Sequence, residues 1–163
     1  MSSASAVLPV PLADIREEFL ALAERDRLLL LLDYANDLPA LPERFGEHPE
    51  RLERVPECQA PVFVAAEVED GAVHVHAKAP AEAPTTRGFA SVLAHGLEGS
   101  TPDAVLAVPS DFPLTLGLTA AVSPLRLRGM SGLLSRIQRQ VRDARADAGT
   151  AAGGAADASS IGR

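Results

Sequence analysis

Between Pro11 and Leu38, apolar residues recur at three- and four-residue steps: Ile15, Phe19 and Leu22, then Leu28, Leu31, Leu32 and Ala35. That is the period of one helix face. The pattern predicts two helices with a break near Glu24 to Arg27. The run Leu28-Leu29-Leu30-Leu31-Leu32 is wider than a single amphipathic stripe, which implies burial on two sides. Leu38-Pro39 ends this region. Residues 42–56 are dense in charge, with Glu43, Arg44, Glu47, Glu50, Arg51, Glu53 and Arg54, and read as a solvated loop. The period then changes to two. Val62 to Val68 forms a first strand, Glu69-Asp70-Gly71 supplies turn chemistry, and Ala72-Val73-His74-Val75-His76-Ala77-Lys78 alternates as a half-buried second strand.

The second half of the chain is helical again. Thr85 or Thr86 is placed to cap a helix from about Arg87 to Leu97. Thr101-Pro102-Asp103 opens a short helix, with threonine as cap and proline at the first turn, and Pro109 ends it. Ser110-Asp111 starts a small turn that Gly117 stops. Ser123-Pro124 repeats the cap-plus-proline start and opens the last helix. Its Leu127, Met130, Leu134, Ile137 and Val141 face the core, opposite Arg126, Arg136, Arg139 and Arg142. From about Ala144 the composition turns to Ala, Gly, Ser, Thr and Asp. The pattern thus predicts a flexible lead over residues 1–10, one α+β domain over 11–143 with helices on one side of a small antiparallel sheet, and a disordered tail over 144–163.

Composition narrows the function classes. The 163 residues suit one domain with a single core, and with no Trp and one Tyr that core is expected to be mostly aliphatic. A net charge of -7 argues against general nucleic-acid binding, which needs a basic face for phosphates. The apolar run at Leu28 to Leu32 is too short to span a bilayer. The opening residues carry no basic segment followed by a long apolar stretch, and the chain holds one cysteine, so the expected compartment is the reducing cytoplasm.

That cysteine, Cys58, sits in Arg54-Val55-Pro56-Glu57-Cys58-Gln59-Ala60-Pro61, just ahead of a strand. A lone thiol forms no internal disulfide, which leaves either an inert packed residue or a single nucleophile that carries something covalently. Pro56 and Pro61 stiffen the loop and Gln59 offers an amide, which suggests a presented site more than a core position. Two segments join an arginine to a glycine near a helix start: Thr85-Thr86-Arg87-Gly88-Phe89 and Ser123-Pro124-Leu125-Arg126-Leu127-Arg128-Gly129-Met130. Helix starts and guanidinium groups favour anions such as a thiolate, whereas Glu57 raises the thiol pKa. His74-Val75-His76 invites a zinc reading, but Cys58, His48 and His95 show no metal spacing. A cysteine hydrolase would need a histidine base at the thiol, and neither His48 nor His95 lies in a signature for one. A binding module with a silent thiol is the third reading.

Val55-Pro56-Glu57-Cys58-Gln59-Ala60-Pro61-Val62-Phe63 resembles the SufE family of sulfur acceptors that partner cysteine desulfurases in iron–sulfur cluster assembly. Leu38-Pro39-Ala40-Leu41-Pro42, Ala83-Pro84-Thr85-Thr86-Arg87-Gly88 and the Ser123 to Met130 segment resemble further landmarks of that family, in order, across Pro11 to Val141. Glu57 stands where the family usually has glycine, Ala60 replaces serine, and Phe63 replaces a common tryptophan. The resemblance implies that Cys58 accepts sulfane sulfur as a persulfide, with Gln59, Arg87 and Arg126 as site residues. It also implies a pyridoxal-phosphate-dependent desulfurase as donor, an iron–sulfur scaffold downstream, and no cofactor on the chain itself. Such a protein activates its partner more than it turns over alone. A rhodanese-type sulfurtransferase is the alternative donor.

Overall fold

The computed structural model describes residues 7–156, with six α-helices and a three-stranded antiparallel sheet among them. Helix α1 (Val10–Ala21) and α2 (Glu24–Asn36) break at Leu22-Ala23. Arg27 straps this corner by donating to the carbonyls of Phe19 at 2.9 Å and Gly117 at 3.2 Å. Within the leucine run only Leu31 is fully buried, and Leu29 is 60% exposed. Leu28, Leu30 and Leu32 are half-buried, so α2 buries one stripe fully, with partly covered flanks beside it. That stripe, Leu31 and Ala35, packs on α4 (Pro84–Gly96) at close range. Gly88 permits the approach, because a Cβ there would run into the Leu31 carbonyl oxygen.

The charged stretch at residues 42–56 is not a plain solvated loop. It forms a one-turn helix α3 (Glu43–Glu47), a 3-10 turn at Pro49–Arg51 and a two-residue strand β1 (Glu53–Arg54). Strand β1 pairs with β2 (Phe63–Glu69), which pairs in turn with β3 (Ala72–Lys78). Asp70 and Gly71 take φ of 53° and 77°, the left-handed pair a tight hairpin needs. One sheet face, with Val64, Val73, Val75 and Ala77 buried, looks onto α4 and α6. On the other face α3 lays Phe45 against His76, with ring centroids 5.0 Å apart, while Arg44 bonds Glu67 at 2.7 Å. Sequence periodicity missed α3 and β1 because each is shorter than the window that reveals a period.

Helix α4 is the hub, packing on α1, α2, α6 and β3. It begins at Pro84, three residues before the expected start, and no side chain caps it; the proline at the first turn takes the place of the threonine cap. Helix α5 (Pro102–Leu106) is capped as expected, Thr101 Oγ1 accepting from the Ala104 amide at 3.2 Å. A 3-10 turn at Phe112–Leu116 ends on Gly117 at φ 70°. Helix α6 runs from Pro124 to Ala156, with Leu127, Met130, Leu134, Ile137 and Val141 buried. It passes the 144 boundary expected for a disordered tail; its last turns are rich in alanine, the strongest helix former. Residues 1–6 of the expected lead and 157–163 of the expected tail lie outside the described residues.

Candidate functional site

Cys58 lies at the tip of a loop whose base is locked. Val55 and Val62, both fully buried, bond across that base from the Val55 amide to the Val62 carbonyl at 2.9 Å, which prolongs the β1–β2 ladder. The Cys58 amide closes a turn onto the Val55 carbonyl at 3.1 Å. The loop tip then lies against α6, and here the thiol departs from the expected presented position: Cys58 is only 6% exposed. Two glycines of α6 lie beneath the loop. A Cβ on Gly129 would sit 3.4 Å from the Cys58 sulfur, and one on Gly132 would come within 2.8 Å of the Glu57 side chain. With glycine at both positions the helix admits the loop, and the thiol donates to the Gly129 carbonyl at 3.6 Å. Burial, and second the Glu57 carboxylate, push the thiol pKa up to about 11. At neutral pH the closed thiol is thus protonated.

The sulfur borders a cavity of about 140 Å³. One wall is the loop itself, Cys58, Gln59 and Ala60. The second is the start of α4 with the residues before it, Glu82 to Thr86. The third is the start of α6, Leu125, Arg126 and Gly129. Two helix N-termini therefore open on the same space, and that of α4 is left uncapped by any side chain. Such ends carry partial positive charge. Arg126 adds a full charge; its exposed guanidinium makes no ion pair among the described residues. Glu82 and Glu57 offset part of this.

The structure brings Cys58, Gln59 and Arg126 together and leaves Arg87 apart. Arg87 lies one turn into α4 and points away from the cavity, donating to the Ala35 carbonyl at 2.8 Å and the Ala79 carbonyl at 2.6 Å. It ties α2 and the end of β3 to the hub helix. The histidines stay outside the cavity as well. His48 meets Glu50, His74 meets Glu98, His76 lies beside Glu67 and Arg44, and His95 bonds the Asp37 carbonyl. No group of three or more His, Cys, Asp or Glu among the described residues is arranged to hold a metal ion.

Sequence reasoning missed the charged residues behind the loop. Arg136 forks onto Glu57, Nε to Oε2 at 3.2 Å and Nη2 to Oε1 at 3.0 Å, and its Nη1 reaches Glu53 of β1 at 3.0 Å. Arg139 also bonds Glu53. The signal was present: Gly129, Gly132, Arg136 and Arg139 follow one another at steps of three, four and three, which puts them in one stripe along α6. The stripe consists of residues that let the loop in, followed by residues that hold it.

The chain is thus an α+β domain with a single buried thiol bordering a pocket at two helix N-termini. The model of the SufE family, described as an Fe-S metabolism associated domain, matches residues 13–141, and the chain belongs to that family. An uncharacterized SufE-like protein of Mycobacterium tuberculosis is 52% identical over 143 residues, covering 87% of this chain and 99% of its own. A SufE-like protein 1, chloroplastic/mitochondrial, of Arabidopsis thaliana is 28% identical, and there the match covers 35% of the relative. The solution structure of a hypothetical protein from Thermus thermophilus superposes with a TM-score of 0.76 at 44% identity, covering 86% of this chain and 99% of that one. Membership ties the chain to iron–sulfur metabolism. No helix among the described residues is long and apolar enough to cross a membrane.

Proposed function

We propose that the chain is a sulfur acceptor and carrier, in which Cys58 takes sulfane sulfur as a persulfide from a pyridoxal-phosphate-dependent cysteine desulfurase. The observation that carries this reading is the placement of the sole cysteine on a pocket walled by two helix N-termini and Arg126. Transfer is an exchange at sulfur. The Cys58 thiolate attacks the outer sulfur of the donor's persulfide, the donor's S–S bond breaks, and the donor cysteine leaves as its thiolate. Cys58 then carries the extra sulfur, and oxidation states balance without an added oxidant or reductant.

The geometry supports two stages. In the closed loop the thiol is buried and protonated, so it is a poor nucleophile and is shielded from stray oxidants and thiols. Acceptance requires the tip to lift off α6, which removes the burial that raises the pKa and frees the sulfur from the Gly129 carbonyl. Once loaded, the terminal sulfur is an anion, and the helix ends and Arg126 favour its return to the pocket. A water-sized atom needs about 10–15 Å³ of such space, so the cavity holds the added sulfur easily. Gln59, exposed at the rim, offers an amide donor to the same anion.

By removing the donor's persulfide the protein stimulates its partner, then passes sulfur to an iron–sulfur scaffold in the reducing cytoplasm. Alanine release by a cysteine desulfurase tests this. Wild-type protein accelerates it and Cys58→Ser does not; equal acceleration by both would overturn the assignment of Cys58.

A further inference from the structure

The tip of the Cys58 loop is held to α6 in three places: the thiol on the Gly129 carbonyl, the close contact at Gly129 and Gly132, and the fork from Arg136 to Glu57. Only the fork is ionic, and it involves the residue directly before the reactive cysteine. We infer that Glu57 and Arg136 are positioning residues for sulfur transfer, forming a latch whose opening sets how often Cys58 meets a donor.

The surroundings suit a latch. Arg136 does not depend on Glu57 for its placement, because Glu53 of β1 holds the same guanidinium from the other side and is itself bonded by Arg139. When the tip lifts, Arg136 stays where it is and Glu57 returns to a ready partner. The pair is also partly open to solvent, at 43% exposure for the Glu57 side chain and 25% for Arg136. Water and salt therefore weaken it, and it can open at modest cost. Because the loop base at Val55 and Val62 is bonded and buried, the motion is confined to the tip. The inference rests on the sulfur-acceptor reading for its purpose, but not for its test.

That test is alkylation of Cys58 in the full chain by the neutral reagent iodoacetamide. Modification through a rare open state proceeds at a rate proportional to the open population. Arg136→Met should raise the rate about two- to fivefold, the shift an exposed ion pair of this kind controls, and Glu57→Gln at least as much, since it also removes a charge that holds the thiol pKa up. Arg139→Met removes the other cation from Glu53 without touching Glu57, and should alkylate at the wild-type rate. The wild-type rate should climb toward that of Glu57→Gln as salt rises from low to high ionic strength, while Glu57→Gln stays flat. Denaturant melts of all variants identify any gain caused by global unfolding. A wild-type alkylation rate in Arg136→Met, or an equal gain in Arg139→Met, would overturn the latch. A desulfurase assay on the same proteins separates the two readings. Faster alkylation with no persulfide ever formed leaves the latch standing and removes the acceptor role; persulfide formation with unchanged alkylation does the reverse.

Discussion

Replacing Arg87 with methionine separates an architectural role from a chemical one. The side chain keeps its bulk along α4 but loses both donors, so the part-buried carbonyls of Ala35 and Ala79 lose partners now at 2.8 and 2.6 Å. Hydrogen bonds from a charged donor contribute about 1.5–3 kcal/mol each, and the two share one guanidinium, so a combined loss of about 3 kcal/mol is expected. For a chain of this size that lowers the melting temperature by roughly 6–12 °C. Arg87→Lys should recover part of the loss, since a single ammonium cannot reproduce the fork across two carbonyls. Differential scanning calorimetry measures the shift. Persulfide acceptance, measured well below each variant's transition, should match wild type. A variant that melts within about 2 °C of wild type yet accepts no sulfur would refute the reasoning and return Arg87 to the site.

Other perturbations give independent checks. Arg126→Ala should leave the melt within about 0.5 kcal/mol, as for an exposed side chain with no ion pair, while slowing transfer; unchanged transfer kinetics would remove Arg126 from the pocket's chemistry. The buried thiol makes stability pH-dependent. From about pH 9, where the unfolded chain gives up the Cys58 proton, to about pH 11, where the folded chain follows, stability falls as pH rises, by up to about 2–3 kcal/mol. Chemical denaturation of Cys58→Ser alongside wild type isolates that slope, and parallel profiles would contradict it. Gly88→Ala should cost more than about 3 kcal/mol or prevent folding, because its Cβ meets the Leu31 backbone; a stable, wild-type-like variant would show that α2 and α4 are not packed this closely.

What was legible in the sequence follows from how far each signal reaches. The hairpin and the proline-marked helices α5 and α6 were readable because Asp70-Gly71 and the proline positions act on their own neighbours, whereas α4, read from its threonines, was started three residues late. So was the pairing of Cys58 with the Arg126 segment, though only through the family's ordered motifs; no local rule links residues 68 positions apart. The burial of Cys58 was not readable, because it depends on α6 having glycine where the loop lands. The placement of Arg87 was unreadable for a related reason. An arginine after a threonine pair looks like an anion site, and only the tertiary structure shows two backbone carbonyls already occupying it. Glu57 was noticed as a charge beside the thiol. Its partner Arg136, 79 positions away, turns that charge into a tether.

The most direct test of the central claim is intact mass spectrometry of the full chain after incubation with an active cysteine desulfurase and free cysteine, without reductant. The account predicts a gain of one sulfur atom that maps to Cys58, disappears on treatment with a thiol reductant and is absent in Cys58→Ser. An unchanged mass beside a demonstrably active cognate desulfurase would contradict it.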